Sequence, residues 1–304
     1  QGKVKVNFDE IDDYVILRDD GTPTFLLSSA TDDLNMKITD IIRGDDHLTN
    51  SFRQKIIFDF LDYKPKFHHI SLLHNEQNQK MSKRDNTPSI LKYKDNGYLP
   101  EAIINYLVRL GWSHGDQEIF SANEIKKIFS IEKVGKSPAK FDEKKLNFLN
   151  SHYIKQKNND EILKYLEHND DKYFKSKNLS KKNINILLEL YKERVKSLGE
   201  LSESLSNIYN GNFKFSDEQI VIIQEFDKFK DLILSKLSDI VSWNSENIEK
   251  KISEVILDEK LTFKKVVQPL RLLVTGSISG PSIFKIIEVI GHEETLNRIK
   301  KVNI

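Results

Sequence analysis

Apolar residues along this chain fall into two textures, and the change comes near residue 80. Before it, short apolar runs of strand length alternate with turn residues. Residues 3–8 (Lys-Val-Lys-Val-Asn-Phe) alternate polar and apolar as a half-buried strand does. Tyr14 to Leu17 is a second short run, and Asp19-Asp20-Gly21-Thr22-Pro23 reads as a turn. Ile38 to Ile42 predicts a strand that ends in Arg43-Gly44-Asp45-Asp46-His47, followed by a helix from about Thr49 to Leu61 capped by Thr49 or Asn50. Phe67 to Leu73 predicts the next strand. A strand, a charged loop and a helix make the repeating unit of an α/β sheet, whose ligands collect beyond the carboxyl ends of the strands.

Beyond residue 80 the spacing becomes helical. Thr87-Pro88-Ser89 starts a helix through Tyr93. Leu99-Pro100-Glu101 starts another, with Ile103, Ile104, Leu107, Val108 and Leu110 on one stripe and a stop at Gly111. Ser121 and Glu124 form a capping pattern for a helix to Phe129, and Phe141 to Ile154 follows. The polar stretch Gln156 to Asp160 reads as a linker. Amphipathic helices are then predicted at about 160–168, 179–209, 216–238, 245–257, 260–275 and 281–301. Between them lie Lys/Asn-rich breaks that are compositional bias only.

Composition narrows the class. The 304 residues are 38% hydrophobic and 31% charged with a formal net charge of +1, so a nucleic-acid partner would be met by local basic faces rather than by bulk charge. There is no cysteine, which removes disulfides and thiolate metal sites and fits a reducing cytosol. No apolar run approaches membrane-spanning length. The chain begins Gln1-Gly2-Lys3 inside strand-like sequence, which reads as the downstream part of a longer protein.

Candidate chemistry gathers where the textures meet. Lys80-Met81-Ser82-Lys83-Arg84-Asp85 places two lysines three residues apart on an Asn/Gln-rich loop. Lysine is a compact charge on a long stem, suited to a mobile clamp for polyphosphate; the alternative reading is a solvated basic turn. Arg43, Asp45, Asp46 and His47 stand at the end of the preceding strand. His47 reads equally as a packing residue at a helix start or as a site-lining one. His68, His69 and His74 lack a spaced third ligand, so no metal site is expected. Trp112 and Trp243 read as core.

Lys80-Met81-Ser82-Lys83-Arg84 resembles the second signature loop of class I aminoacyl-tRNA synthetases. Asp20-Gly21-Thr22-Pro23-Thr24-Phe25, Asp32-Asp33, Ile38-Thr39, and Ile42-Arg43-Gly44-Asp45-Asp46-His47-Leu48-Thr49-Asn50 through Arg53-Gln54 are similar to the glutamyl branch of that class. Asn105 to Ser113 and Ser137 to Asn147 look like that branch's stem-contact region. Gln268-Pro269-Leu270-Arg271 to Thr275-Gly276 and Gly280-Pro281 to Gly291 look like its anticodon-binding part. The resemblance covers essentially the whole chain. It implies an α/β Rossmann-like catalytic half-domain over 1–78, ending the acceptor-binding insertion. An all-α stem-contact domain with the lysine loop would cover 79–157, and an all-α anticodon-binding domain 158–304, so the fold is mostly helical overall.

The resemblance further implies activation of glutamate by ATP with Mg2+ to glutamyl-adenylate, then transfer to the 3′ end of tRNA-Glu, with tRNA-Gln an open second substrate. Lys80 and Lys83 would stabilise the reacting phosphate, Ser82 would shape the loop, and Asp46 would lie near ATP. Arg43 would pair with a substrate carboxylate; Phe25 and Ser29 would line the amino-acid pocket; Arg271, and more weakly Arg194, would contact tRNA. Arg194 also reads as a solvated helix position, as does Lys196. A cytoplasmic monomer without zinc in this stretch is expected. Departures from the pattern are a Phe25 where many relatives carry tyrosine, Ser28-Ser29 in place of a more apolar run, and the absence of a His-x-Gly-His loop. That loop lies earlier in the family, so the chain is expected to hold only the second half of the catalytic fold and to be incomplete for catalysis. A scaffold that binds tRNA without the chemistry is the competing class.

Overall fold

The computed structural model describes residues 2, 4–81, 89–168 and 180–301. Two compact units emerge: Gln1–Ser89 with Glu101–Leu146, and Ile90–Pro100 with Asn147–Ile304.

In the first unit, α1 (Phe25–Asn35) precedes β1 (Asp40–Gly44), α2 (Leu48–Phe60) and β2 (Lys66–Ile70). β1 and β2 pair in parallel with Arg43 opposite His69. Parallel strands need a crossover, and α2 supplies it. Phe58, 1% exposed, anchors α2 against the rings of Tyr63 and Phe67. β3 (Leu73–His74) pairs in parallel with β4 (Ala139–Lys140). Between these strands lie α3 (Ile90–Asp95), which belongs to the second unit, then α4 (Pro100–Arg109) and α5 (Ala122–Ile128). Trp112, Phe120 and Ile125 form a buried cluster beside α5, so Trp112 is core as its sequence context suggests. α5 starts with the expected capping box of Ser121 and Glu124.

The second unit is entirely helical among the described residues. α6 (Glu143–Gln156) leads in, followed by α7 (Asn159–His168), α8 (Lys181–Lys192), α9 (Leu198–Asn210) and α10 (Asp217–Phe226). The series continues with α11 (Lys230–Ser238), α12 (Ser245–Asp258), α13 (Phe263–Thr275), α14 (Ile283–Ile290) and α15 (His292–Lys301). α13 and α14 are its centre: Leu270, Leu272, Val274, Ile286 and Ile287 are all below 3% exposed. Each such side chain contributes roughly 1.5–3 kcal/mol on burial. Trp243 is half-buried rather than core, and its indole N–H donates to the Ile287 carbonyl. No helix among the described residues is long and apolar enough to cross a membrane.

Several sequence expectations are corrected. Residues 4–7 form no strand, and a single 3-10 turn occupies Phe8–Glu10; among the described residues no strand pairs with this segment. The strand expected over Phe67 to Leu73 is two, β2 and β3. α2 is preceded by His47 with no side-chain cap bond, and Thr49 and Asn50 lie inside the helix. The long helices expected at 179–209, 216–238 and 281–301 are each two. The first breaks because side chains of α6 capture its carbonyls: Asn150 donates to Lys196 O at 2.6 Å and Ser151 to Val195 O at 2.8 Å. The third breaks at Gly291, whose φ of 93° ends α14. The start expected at Thr87-Pro88 lies outside the described residues.

Candidate functional site

β1 delivers Arg43 to its carboxyl end, and α2 returns over it. The half-buried guanidinium donates from one terminal nitrogen to Gln54 Oε1 at 2.6 Å and from the other to Ser51 Oγ at 2.5 Å. Its carbon stands 5.3 Å from the centroid of the Phe67 ring. Ser51 Oγ lies 2.6 Å from His69 Nε2 on β2. Burial lowers the Arg43 pKa, and the charge of Asp33 opposes that shift. Burial likewise raises Asp33, with Arg43 pulling it back. His69 is pushed down by burial first and by the Arg43 charge second, so a neutral imidazole faces the hydroxyl.

Asp46 follows in a 3-10 turn at Asp45–His47, so the charged residues sit at the strand end as the sequence predicts. Lys80 Nζ bonds Asp46 Oδ2 at 2.9 Å, and this bond is the main reason the Asp46 pKa is lowered. Lys80 is placed by a short antiparallel bridge, His74 to Lys80, around a turn with Asn78 at φ 61°. Both partners are well exposed, so the pair contributes about 0–1 kcal/mol and the ammonium is readily given up to a stronger anion. Gly44 lets the Asp46 carboxylate come close: a Cβ would lie 2.6 Å from Asp46 Oδ1 and 3.0 Å from Leu72 Cδ2, and either side chain would have to move aside. Ser82 and Lys83 lie outside the described residues.

Phe25, Ser29 and Asp33 recur at i, i+4 and i+8 and so share one face of α1. The exposed Phe25 ring is 6.1 Å from that of His47, and Asp33 feels the charge of Arg43. This face is therefore joined electrostatically to the strand end. Sequence reasoning assigned no role to Asp33, Ser51, Gln54 or His69. Ser51 and Gln54 are buried polar positions of α2, which only the folded helix reveals. A cavity of about 470 Å³ borders Ser51, Phe67 and His69 and reaches Glu132 and Lys136. Arg43, Asp46 and Lys80 are not among its walls. Among the described residues no group of three or more His, Asp or Glu could hold a metal ion.

In the helical unit, Arg271 on α13 donates to Pro281 O at 2.7 Å. Tyr191, at the end of α8, is its neighbour; burial pushes the phenol up to about 12. Burial lowers the Arg271 pKa, and Arg194 adds a smaller push the same way. The structure thus brings both sequence-named arginines into one electrostatic neighbourhood. Among the described residues neither has a carboxylate partner.

A parallel strand pair with a crossover helix, charged at its carboxyl end and followed by an all-helical unit, defines a nucleotide-type α/β site joined to a helical domain. Residues 1–148 match the family model described as tRNA synthetases class I (E and Q), catalytic domain, and residues 143–303 match that of an anticodon binding domain. The chain belongs to this class I tRNA synthetase family, with a Rossmann-like half and helical domains. It is 39% identical to Glutamate--tRNA ligase 2 of Nitratiruptor sp. over 99% of this chain and 65% of that relative. It is 41% identical to Glutamate--tRNA ligase 2 of Ehrlichia ruminantium (strain Welgevonden), over 98% of this chain and 65% of the relative. The crystal structure of a glutamate tRNA ligase from Elizabethkingia meningosepticum, in complex with its amino acid, superposes with a TM-score of 0.77 at 30% identity. That match covers 97% of this chain and 63% of the other. The chain thus spans about two thirds of the length of these relatives.

Proposed function

We propose that this chain carries the second signature loop and the tRNA-binding parts of a glutamate–tRNA ligase. In the proposed reaction, a glutamate carboxylate oxygen attacks the α-phosphorus of ATP and the bond to pyrophosphate breaks. A terminal ribose hydroxyl of tRNA-Glu then attacks the adenylate carbonyl and AMP leaves. Arg43 pairs with a substrate carboxylate, for which a planar guanidinium fork is well matched. Phe25 and Ser29 line the amino-acid pocket from α1. Lys80 and Lys83 neutralise charge developing on the phosphates, Ser82 shapes their loop, and Asp46 holds Lys80 ready beside the ATP position. Mg2+ arrives with ATP and supplies further charge neutralisation. Arg271 and Arg194 face tRNA. The division into 1–78, 79–157 and 158–304 belongs to the same proposal.

The observation that supports this reading is the end of β1: Arg43, with no carboxylate bonded to it among the described residues, and Asp46, three residues further on, which holds Lys80. In the complete protein, Lys83→Ala should slow glutamate-dependent ATP–pyrophosphate exchange by orders of magnitude while tRNA-Glu retention on filters stays near the unsubstituted level. Unchanged exchange would refute the role. A second reading is tRNA binding without activation, for which the match of residues 143–303 to an anticodon binding domain stands apart from the lysine loop. Retention of tRNA-Glu with no exchange in the unsubstituted complete protein selects that reading.

A further inference from the structure

We infer that Gln54 is a specificity-determining positioning residue: it orients the Arg43 guanidinium through a neutral oxygen and so leaves the positive charge uncancelled for an anionic substrate. This rests on the reading of Arg43 as the partner of a substrate carboxylate.

A guanidinium has donors only, so the Gln54 amide must turn its oxygen to it. That choice strands the other half of the amide. Gln54 is 0% exposed, and its buried Nε2 has no hydrogen-bond partner among the described residues. Arg43 Nε is in the same condition. Every group bonded to or stacked on the guanidinium is neutral: the Gln54 oxygen, the Ser51 hydroxyl and the Phe67 ring. Asp33 acts on it through space, from α1. A glutamate at position 54 would match glutamine in size, make a charge-assisted bond and have no amide hydrogens to strand. Such a glutamate would also cancel the guanidinium charge, whereas glutamine holds the fork in place without neutralising it. Such a site discriminates a carboxylate from an isosteric amide, because only the carboxylate recovers the unspent charge.

The test is equilibrium binding of L-glutamate and L-glutamine to the complete protein that carries this chain, by calorimetry, with thermal melting alongside. Q54E should weaken glutamate binding by about tenfold or more and change glutamine binding by less than about twofold, with a melting temperature no lower than the parent's. Q54M keeps bulk and neutrality but loses the acceptor; it should melt lower yet retain preference for glutamate within about threefold. A Q54E chain that keeps the parental preference overturns the inference, as does a Q54M chain that loses as much preference as Q54E. If the unsubstituted complete protein binds neither amino acid, the reading of Arg43 itself fails, which is a different result from either of these.

Discussion

His69 stands one hydroxyl away from the Arg43 guanidinium, and protonating it would place a second cation in the same half-buried pocket. Its pKa lies below the ordinary 6.5 because of burial and then of Arg43. The unfolded chain therefore takes up this proton first as pH falls. The stability contributed by neutral His69 is complete above about pH 6.5 and is lost as pH drops through 6.5 toward the lower folded-state value. His69→Gln should flatten the fall in melting temperature between pH 7 and pH 5; an unaltered fall would show that other groups govern it. Arg43→Ala should weaken glutamate binding by about 2–3 kcal/mol if the pair is desolvated, measured by the same calorimetry, with tRNA affinity little changed. Arg43 was legible because it ends an apolar strand run beside Gly44. Its holders were not, since Ser51 and Gln54 look like ordinary polar positions until α2 is folded over β1.

At the scale of the element, the helices that announce themselves locally were legible and those decided at a distance were not. Ser121 and Glu124 form their capping box within four residues, and α5 begins where that pattern places it. Ser121→Ala should cost about 1 kcal/mol, read from chemical denaturation. By contrast, the break between α8 and α9 is made by Asn150 and Ser151, more than 40 positions away. The same holds for residues 4–7, whose alternation has strand character but no ladder to join. One close crossing governs the second unit. Gly97, at φ 80°, meets Gly199: a Cβ on Gly97 would fall 2.3 Å from the Gly199 amide nitrogen, and one on Gly199 would fall 2.7 Å from Asn96 O. The Gly97 carbonyl also accepts from Leu198 N–H at 3.0 Å. Gly97→Ala should therefore destabilise by more than about 2 kcal/mol, against about 1 kcal/mol for Gly21→Ala, where the added carbon meets nothing.

For the whole molecule, the strand-rich to helix-rich change in texture was legible, and so was the all-helical character of the later residues. The allocation of Ile90–Pro100 was not. Its apolar residues match those of its sequence neighbours, and it is long-range bonds that tie it to the second unit, from Leu99 N–H to Asn150, from the Tyr98 hydroxyl to Asn147, from the Tyr165 hydroxyl to the Lys94 carbonyl and from Leu198 N–H to Gly97. Arg271→Ala should raise the Michaelis constant for tRNA and leave pyrophosphate exchange in place; a defect confined to exchange would count against tRNA contact. Because the chain leaves the first unit after Ser89, re-enters at Glu101 and leaves again after Leu146, no single cut can part the two. A protease nicking one junction would yield fragments that still co-migrate under native conditions. A piece begun at Asn147 would lack the eleven-residue excursion, and its exposed α9 start should be soothed by adding a synthetic 90–100 peptide in trans.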